Sequence, residues 1–159
     1  MLLDPEPNGR PGDATLPTLA LRLSDEVRAA SGTATGMELA ATVLWSRFLR
    51  FDVADPDWPD RDRFVLSAAR LDPLLAALLL LSGHGTPPRG TMFGHHPAVE
   101  IASGPPGQGF AAAVGMAAAE RALARRFGRT LVDHRTWVLA CETDLAAGVS
   151  LEAAALAAR

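Results

Sequence analysis

Between Gly83 and Gly109 the chain carries seven glycines and five prolines, a density that neither a continuous helix nor a continuous strand tolerates. A stretch this long without regular structure is uncommon inside a domain and is often functional when it occurs. It divides the 159 residues into two flanks, each of which has to supply regular elements. That length suits one ordinary domain with a real core. Hydrophobic residues make up 48% and charged residues 21%, so neither disorder nor a fibrous repeat is expected.

Residues 1–17 hold Pro5, Pro7, Gly9, Pro11 and Gly12 without apolar periodicity, which predicts an irregular N-terminal arm ahead of a domain spanning 18–159. From Leu19, the spacing of Leu21, Leu23 and Val27 predicts a helix ending near Ser31-Gly32. A second helix is expected over Met37 to Phe51, with Leu39, Val43, Leu44, Phe48 and Leu49 on one apolar face. The acidic stretch Asp52 to Asp62 reads as a loop, Arg63 to Leu66 as a short strand, and Pro73 to Leu81 as an apolar helix. Beyond the irregular segment, Phe110 to Phe127 is rich in helix formers, Thr136 to Ala140 is a strand candidate, and Ser150 to Arg159 begins another helix. The expected class is α/β, mostly helical, with about two short strands.

Composition removes several function classes. All 15 basic residues are arginine, so lysine Schiff-base chemistry is absent. The net charge is −3 and the arginines are scattered, which is not the basic footprint of a nucleic-acid binder. Cys141 is the single cysteine, too few for an internal disulfide, and no secretory leader opens the chain, so a cytoplasmic protein is expected. The longest apolar run, Leu74 to Leu81, is under half of the ~18 residues of a membrane span, so no membrane partner is expected.

The irregular segment ends in Gly104-Pro105-Pro106-Gly107-Gln108-Gly109, immediately before the long helix. A glycine-rich turn opening a helix presents backbone N–H groups and the positive end of the helix dipole, which suits an anionic or polar ligand. The spacing fits neither the dinucleotide fingerprint nor the phosphate-loop pattern, and a purely structural turn is the alternative.

Three blocks in order resemble the N-terminal, thiamine-diphosphate-binding domain of the transketolase family. Trp58 to Ser67 is similar to the family's W-x-x-R-D-R-F-V-L-S. Val99 to Gly109 is similar to V-E-x-T-T-G-P-L-G-Q-G, and Val132 to Trp137 resembles the segment entering the strand before the family's metal motif. The resemblance covers roughly Leu19 to Arg159 and implies a truncated diphosphate-binding domain. It also implies two-carbon ketol transfer between sugar phosphates with thiamine diphosphate and magnesium, inactive in this chain alone. The cofactor would lie at Gly104, Pro105, Pro106, Gly107, Gln108 and Gly109, magnesium at Glu142, and substrate at His95 and His96. A second copy or a second transketolase-like subunit is the implied partner.

The departures concern chemistry. Ser31-Gly32-Thr33-Ala34-Thr35 lacks the histidine of the family's S-G-H-P-G. Ala68 to Asp72 replaces N-G-H-G-S, with Arg70 where a histidine belongs. Cys141-Glu142-Thr143 replaces G-D-G, and Ala147 stands at a glutamate position. Arginine cannot exchange protons near neutrality, and a lengthened carboxylate without flanking glycines weakens a tight octahedral magnesium site. A noncatalytic transketolase-derived remnant or binding module is therefore the alternative reading.

Individual residues have plainer readings too. His95 and His96 also read as an exposed loop pair, because two adjacent histidines cannot build a metal site alone. His134 reads as a structural hydrogen-bonding residue, His84 as a turn residue, and Cys141 as the end of a buried strand, with no adjacent base to activate it. The alanines after Gly109 read as a packing surface, internal or between subunits.

Overall fold

The computed structural model describes residues 16–32, 35–67, 71–85, 94, 96–102 and 104–159. Most of the arm 1–17, the positions Thr33 and Ala34, Arg70 and His95 lie outside the described residues. The chain forms two compact units, one of Met1–Leu49 with Arg70–Thr91 and the other of Arg50–Ala69 with Met92–Arg159. No helix among the described residues is long and apolar enough to cross a membrane.

The first unit is helical, with α1 over Leu16–Ser31, α2 over Glu38–Arg47 and α3 over Asp72–Leu81. Helix α1 buries Leu19, Leu23 and Val27 on one stripe and leaves Leu21 exposed, as a four-residue spacing requires. It packs against both α2 and α3. It ends where Gly32 takes φ +80° and donates to the Arg28 carbonyl at 2.7 Å, the usual job of glycine at a helix end.

Helix α2 corrects the sequence reading of its face. The buried residues are Glu38, Ala41, Thr42, Trp45 and Ser46, whereas Leu39 and Phe48 are exposed. Burial is tolerable because the Thr42 hydroxyl donates to the Glu38 carbonyl at 2.7 Å and the Ser46 hydroxyl to the Thr42 carbonyl at 2.6 Å. These two hydroxyls are satisfied on their own helix, the Glu38 carboxylate accepts from the Thr35 N–H and hydroxyl just ahead of it, and Trp45 supplies the apolar bulk. The Trp45 and His84 rings meet nearly at right angles, 6.2 Å between centroids. His84 Nδ1 lies 2.7 Å from the buried Ser82 hydroxyl, so this histidine closes the turn after α3.

The second unit is an α/β crossover. Strand β1, Arg63–Leu66, pairs parallel with β2, Thr136–Leu139, in the register Arg63 to Thr136 through Leu66 to Leu139. Helix α4, Gln108–Phe127, makes the crossover and packs on both strands, as parallel neighbours require. A four-residue α5, Glu142–Leu145, and then α6, Gly148–Ala157, follow β2. Helix α6 lies against α4. Of the alanines on α4, Ala113 and Ala124 are buried within the molecule, while Ala118 and Ala119 face outward.

Two residues of the first resembling block hold this unit together. The Asp62 side chain is buried and accepts from the Arg50 backbone at 3.1 Å, the Arg135 backbone at 2.8 Å and the Trp137 indole at 3.0 Å. Arg61, also buried, pairs with Glu100 and donates to the Pro97 carbonyl at 2.6 Å. The first and second blocks thus meet directly through Arg61 and Glu100.

Candidate functional site

The carboxyl ends of β1 and β2 and the start of α4 converge in the second unit. This is the place where open α/β sheets bind ligands. Ser67 follows β1, Cys141 follows β2, and Gly107 caps α4. Gly107 has φ +84°, a conformation that side-chain-bearing residues resist. It is packed as well: a Cβ there would fall 2.6 Å from Ser150 Oγ and 2.8 Å from Val149 Cγ1. At Gly109 a Cβ would fall 2.5 Å from the Ser67 Cα. The room that these glycines provide is filled by the chain itself.

At the centre of this junction is Asp144, 1% exposed. Its Oδ1 accepts the Gly107 N–H at 3.1 Å, and its Oδ2 accepts the Cys141 N–H at 3.0 Å and the Cys141 thiol at 2.9 Å. Ser67 Oγ accepts the Phe110 N–H at 3.2 Å. The Ser150 hydroxyl donates to the Asp144 carbonyl at 2.6 Å. Burial by itself raises the Asp144 pKa, but the bonds from Cys141 and Gly107 outweigh it and hold the carboxyl below the usual aspartate value of 3.8.

Linkage gives this network a pH signature. A carboxylate whose pKa is lower in the folded state stabilises above its unfolded value, and that stabilisation is lost as pH falls through the folded value. Asp144→Asn should therefore cost about 1.5–3 kcal/mol near neutral pH, the range for hydrogen bonds to a charged group. The gap in Tm between parent and variant should close progressively below pH 3.8. Thermal unfolding across acid pH checks this; a gap that stays constant to low pH would mean that the charge contributes nothing.

The sequence-predicted residues are distributed as follows. Gly107 and Gly109 are buried, Gly104 is half-buried, and Pro105, Pro106 and Gln108 are exposed. His96 is half-buried, and its Nδ1 accepts the Ala98 N–H at 3.0 Å, which ties it into its own turn. Glu142 is exposed at the first turn of α5. Among the described residues no group of three His, Cys, Asp or Glu side chains is placed to hold a metal ion. With Glu142 exposed and outside any such group, Asp144 taken up by Gly107 and Cys141, and glycines packed against protein, the described residues do not fit the magnesium-held diphosphate that the resemblance implies.

Sequence reasoning missed α5 and Asp144. The available signal was Cys141-Glu142-Thr143-Asp144, a capping-box spacing with cysteine in the serine position. His134 reads as expected, its Nδ1 3.2 Å from Asp60 Oδ1.

Comparison with known proteins agrees with this fold. Residues 18–159 match the family described as "Transketolase, thiamine diphosphate binding domain". The chain is 44% identical over 154 residues to a transketolase of Rhodobacter capsulatus, covering 85% of this chain and 23% of that protein. It is 43% identical over 169 residues to transketolase 2 of Xanthobacter flavus, covering 95% and 25%. The transketolase structure from Leishmania mexicana superimposes with a TM-score of 0.72 at 33% identity, covering 89% of this chain and 24% of that one. The Campylobacter jejuni transketolase gives 0.72 at 31%, covering 89% and 25%. The chain thus spans about a quarter of the length of the relatives it matches. Its parallel pair with an α4 crossover, its glycine loop and this match through residue 159 place the chain in the transketolase family, as part of the thiamine diphosphate binding domain.

Proposed function

We propose that this chain keeps the framework of a transketolase diphosphate-binding domain without its cofactor chemistry, and that it performs no ketol transfer by itself. The observation that carries this reading is that Glu142, at the position assigned to magnesium, is exposed and belongs to no group of three metal-ligating side chains among the described residues. Magnesium demands near-octahedral oxygen ligation and binds poorly to one flexible carboxylate.

A second reading is favoured by the family match itself. In it the chain joins further polypeptide, a second copy or a second transketolase-like subunit, in two-carbon transfer. Thiamine diphosphate then lies at Gly104–Gly109, magnesium at Glu142, and sugar phosphate near His95 and His96.

The two readings separate in a coupled assay with a ketose-phosphate donor, an aldose acceptor, thiamine diphosphate and magnesium, run beside calorimetry on the parent and Glu142→Ala. The framework reading expects no turnover and no saturable heat from either protein. Parent binding that Glu142→Ala abolishes would establish the cofactor-binding reading instead, and turnover by the chain alone would overturn both.

A further inference from the structure

We propose that Asp144 is the resident anion of the Gly104–Gly109 loop: its carboxylate takes the backbone donors of residues 107 and 141 and closes the loop to an external diphosphate. This rests on the framework reading and supplies its atomic cause.

The place is the one an anion prefers, at the carboxyl ends of both strands and the N-terminus of the 20-residue α4. The occupant is already there. A carboxylate offers about four lone-pair sites, and Gly107 N–H, Cys141 N–H and the Cys141 thiol take three of them. With Asp144 1% exposed and Gly107 buried, neither partner is open to a ligand. The walls leave no space either, since the Cβ positions of Gly107 and Gly109 abut Ser150, Val149, Ala147 and Ser67. An incoming phosphate would have to displace a like-charged group that the chain holds covalently at the site.

Amide NMR on the full chain tests this, with inorganic pyrophosphate as the probe, with and without magnesium. In the parent the Gly107 and Cys141 amides should exchange slowly and keep their shifts at millimolar pyrophosphate. In Asp144→Ser, shown to be folded by circular dichroism, both amides should exchange at least about tenfold faster, as expected for the loss of a charge-assisted bond. They should also shift saturably with pyrophosphate. Parent amides that move with pyrophosphate overturn the proposal, and this arm needs no variant. A folded Asp144→Ser whose amides keep the parent's exchange, or ignore pyrophosphate, overturns it too. Magnesium thiamine diphosphate binding to the parent with both amides unmoved would remove the framework reading and leave the Asp144 assignment standing.

Discussion

Glu100→Ala is expected to destabilise the second unit by about 3–5 kcal/mol, the cost of stranding one member of a buried ion pair. Arg61 and Glu100 keep only 11% of their side-chain surfaces exposed. Without the carboxylate, the guanidinium retains only carbonyl partners, at Pro97 and Asp62. At roughly 2–4 °C per kcal/mol for a chain of this size, Tm should fall by about 10 °C. The double change Arg61→Met with Glu100→Leu should recover most of that loss, because replacing both charges by apolar groups of similar volume is often neutral or stabilising. Thermal unfolding of the three proteins checks it. A Tm for Glu100→Ala within a degree or two of the parent would mean that water, not Glu100, stabilises Arg61.

Gly109→Ala should be nearly as damaging, by about 3 kcal/mol, at the upper end of ordinary overpacking. The added methyl would lie 2.5 Å from the Ser67 Cα, and backbone cannot swing aside as a flexible side chain does. The start of α4 must retreat from β1, stretching the Phe110 to Ser67 bond and with it the Gly107 to Asp144 bond. Gly115→Ala is the matched control. Gly115 lies in the same helix with nothing within 4 Å of its Cβ position, so the substitution should stabilise by about 0.5–1 kcal/mol. Opposite signs for the two substitutions in denaturant unfolding are the expected result; equal effects would show that helix propensity, not contact with Ser67, decides both.

Local patterns reported the regular elements well. Strand β1 runs over Arg63–Leu66 as read, because a β-branched and aromatic run is bounded there by Asp62 and Ser67. Helix α4 starts at Gln108, two residues before the expected Phe110, because the first turn has free N–H groups and accepts glycine at Gly109. The face of α2 was not legible. Hydropathy counts Thr42 and Ser46 as polar, yet both spend their hydroxyls on their own helix and go inside. The glycine-rich turn opening α4 was legible, but the carboxylate bonded to Gly107 was not. Asp144 arrives from 37 residues beyond Gly107, on a four-residue helix too short for any periodicity.

The parallel pairing of β1 with β2 also sets a timetable for synthesis. Asp62 and the backbone of Arg135 that it receives are 73 residues apart, and among the described residues β2 is the strand that pairs with β1. At about 5–20 residues per second, the ribosome finishes β1 roughly 4–15 s before it has made β2. Throughout that interval Phe64, Val65 and Leu66, all buried in the finished unit, lack their strand partner and can be covered only by α4 once it is made, and Gly107 has neither Cys141 nor Asp144 beside it.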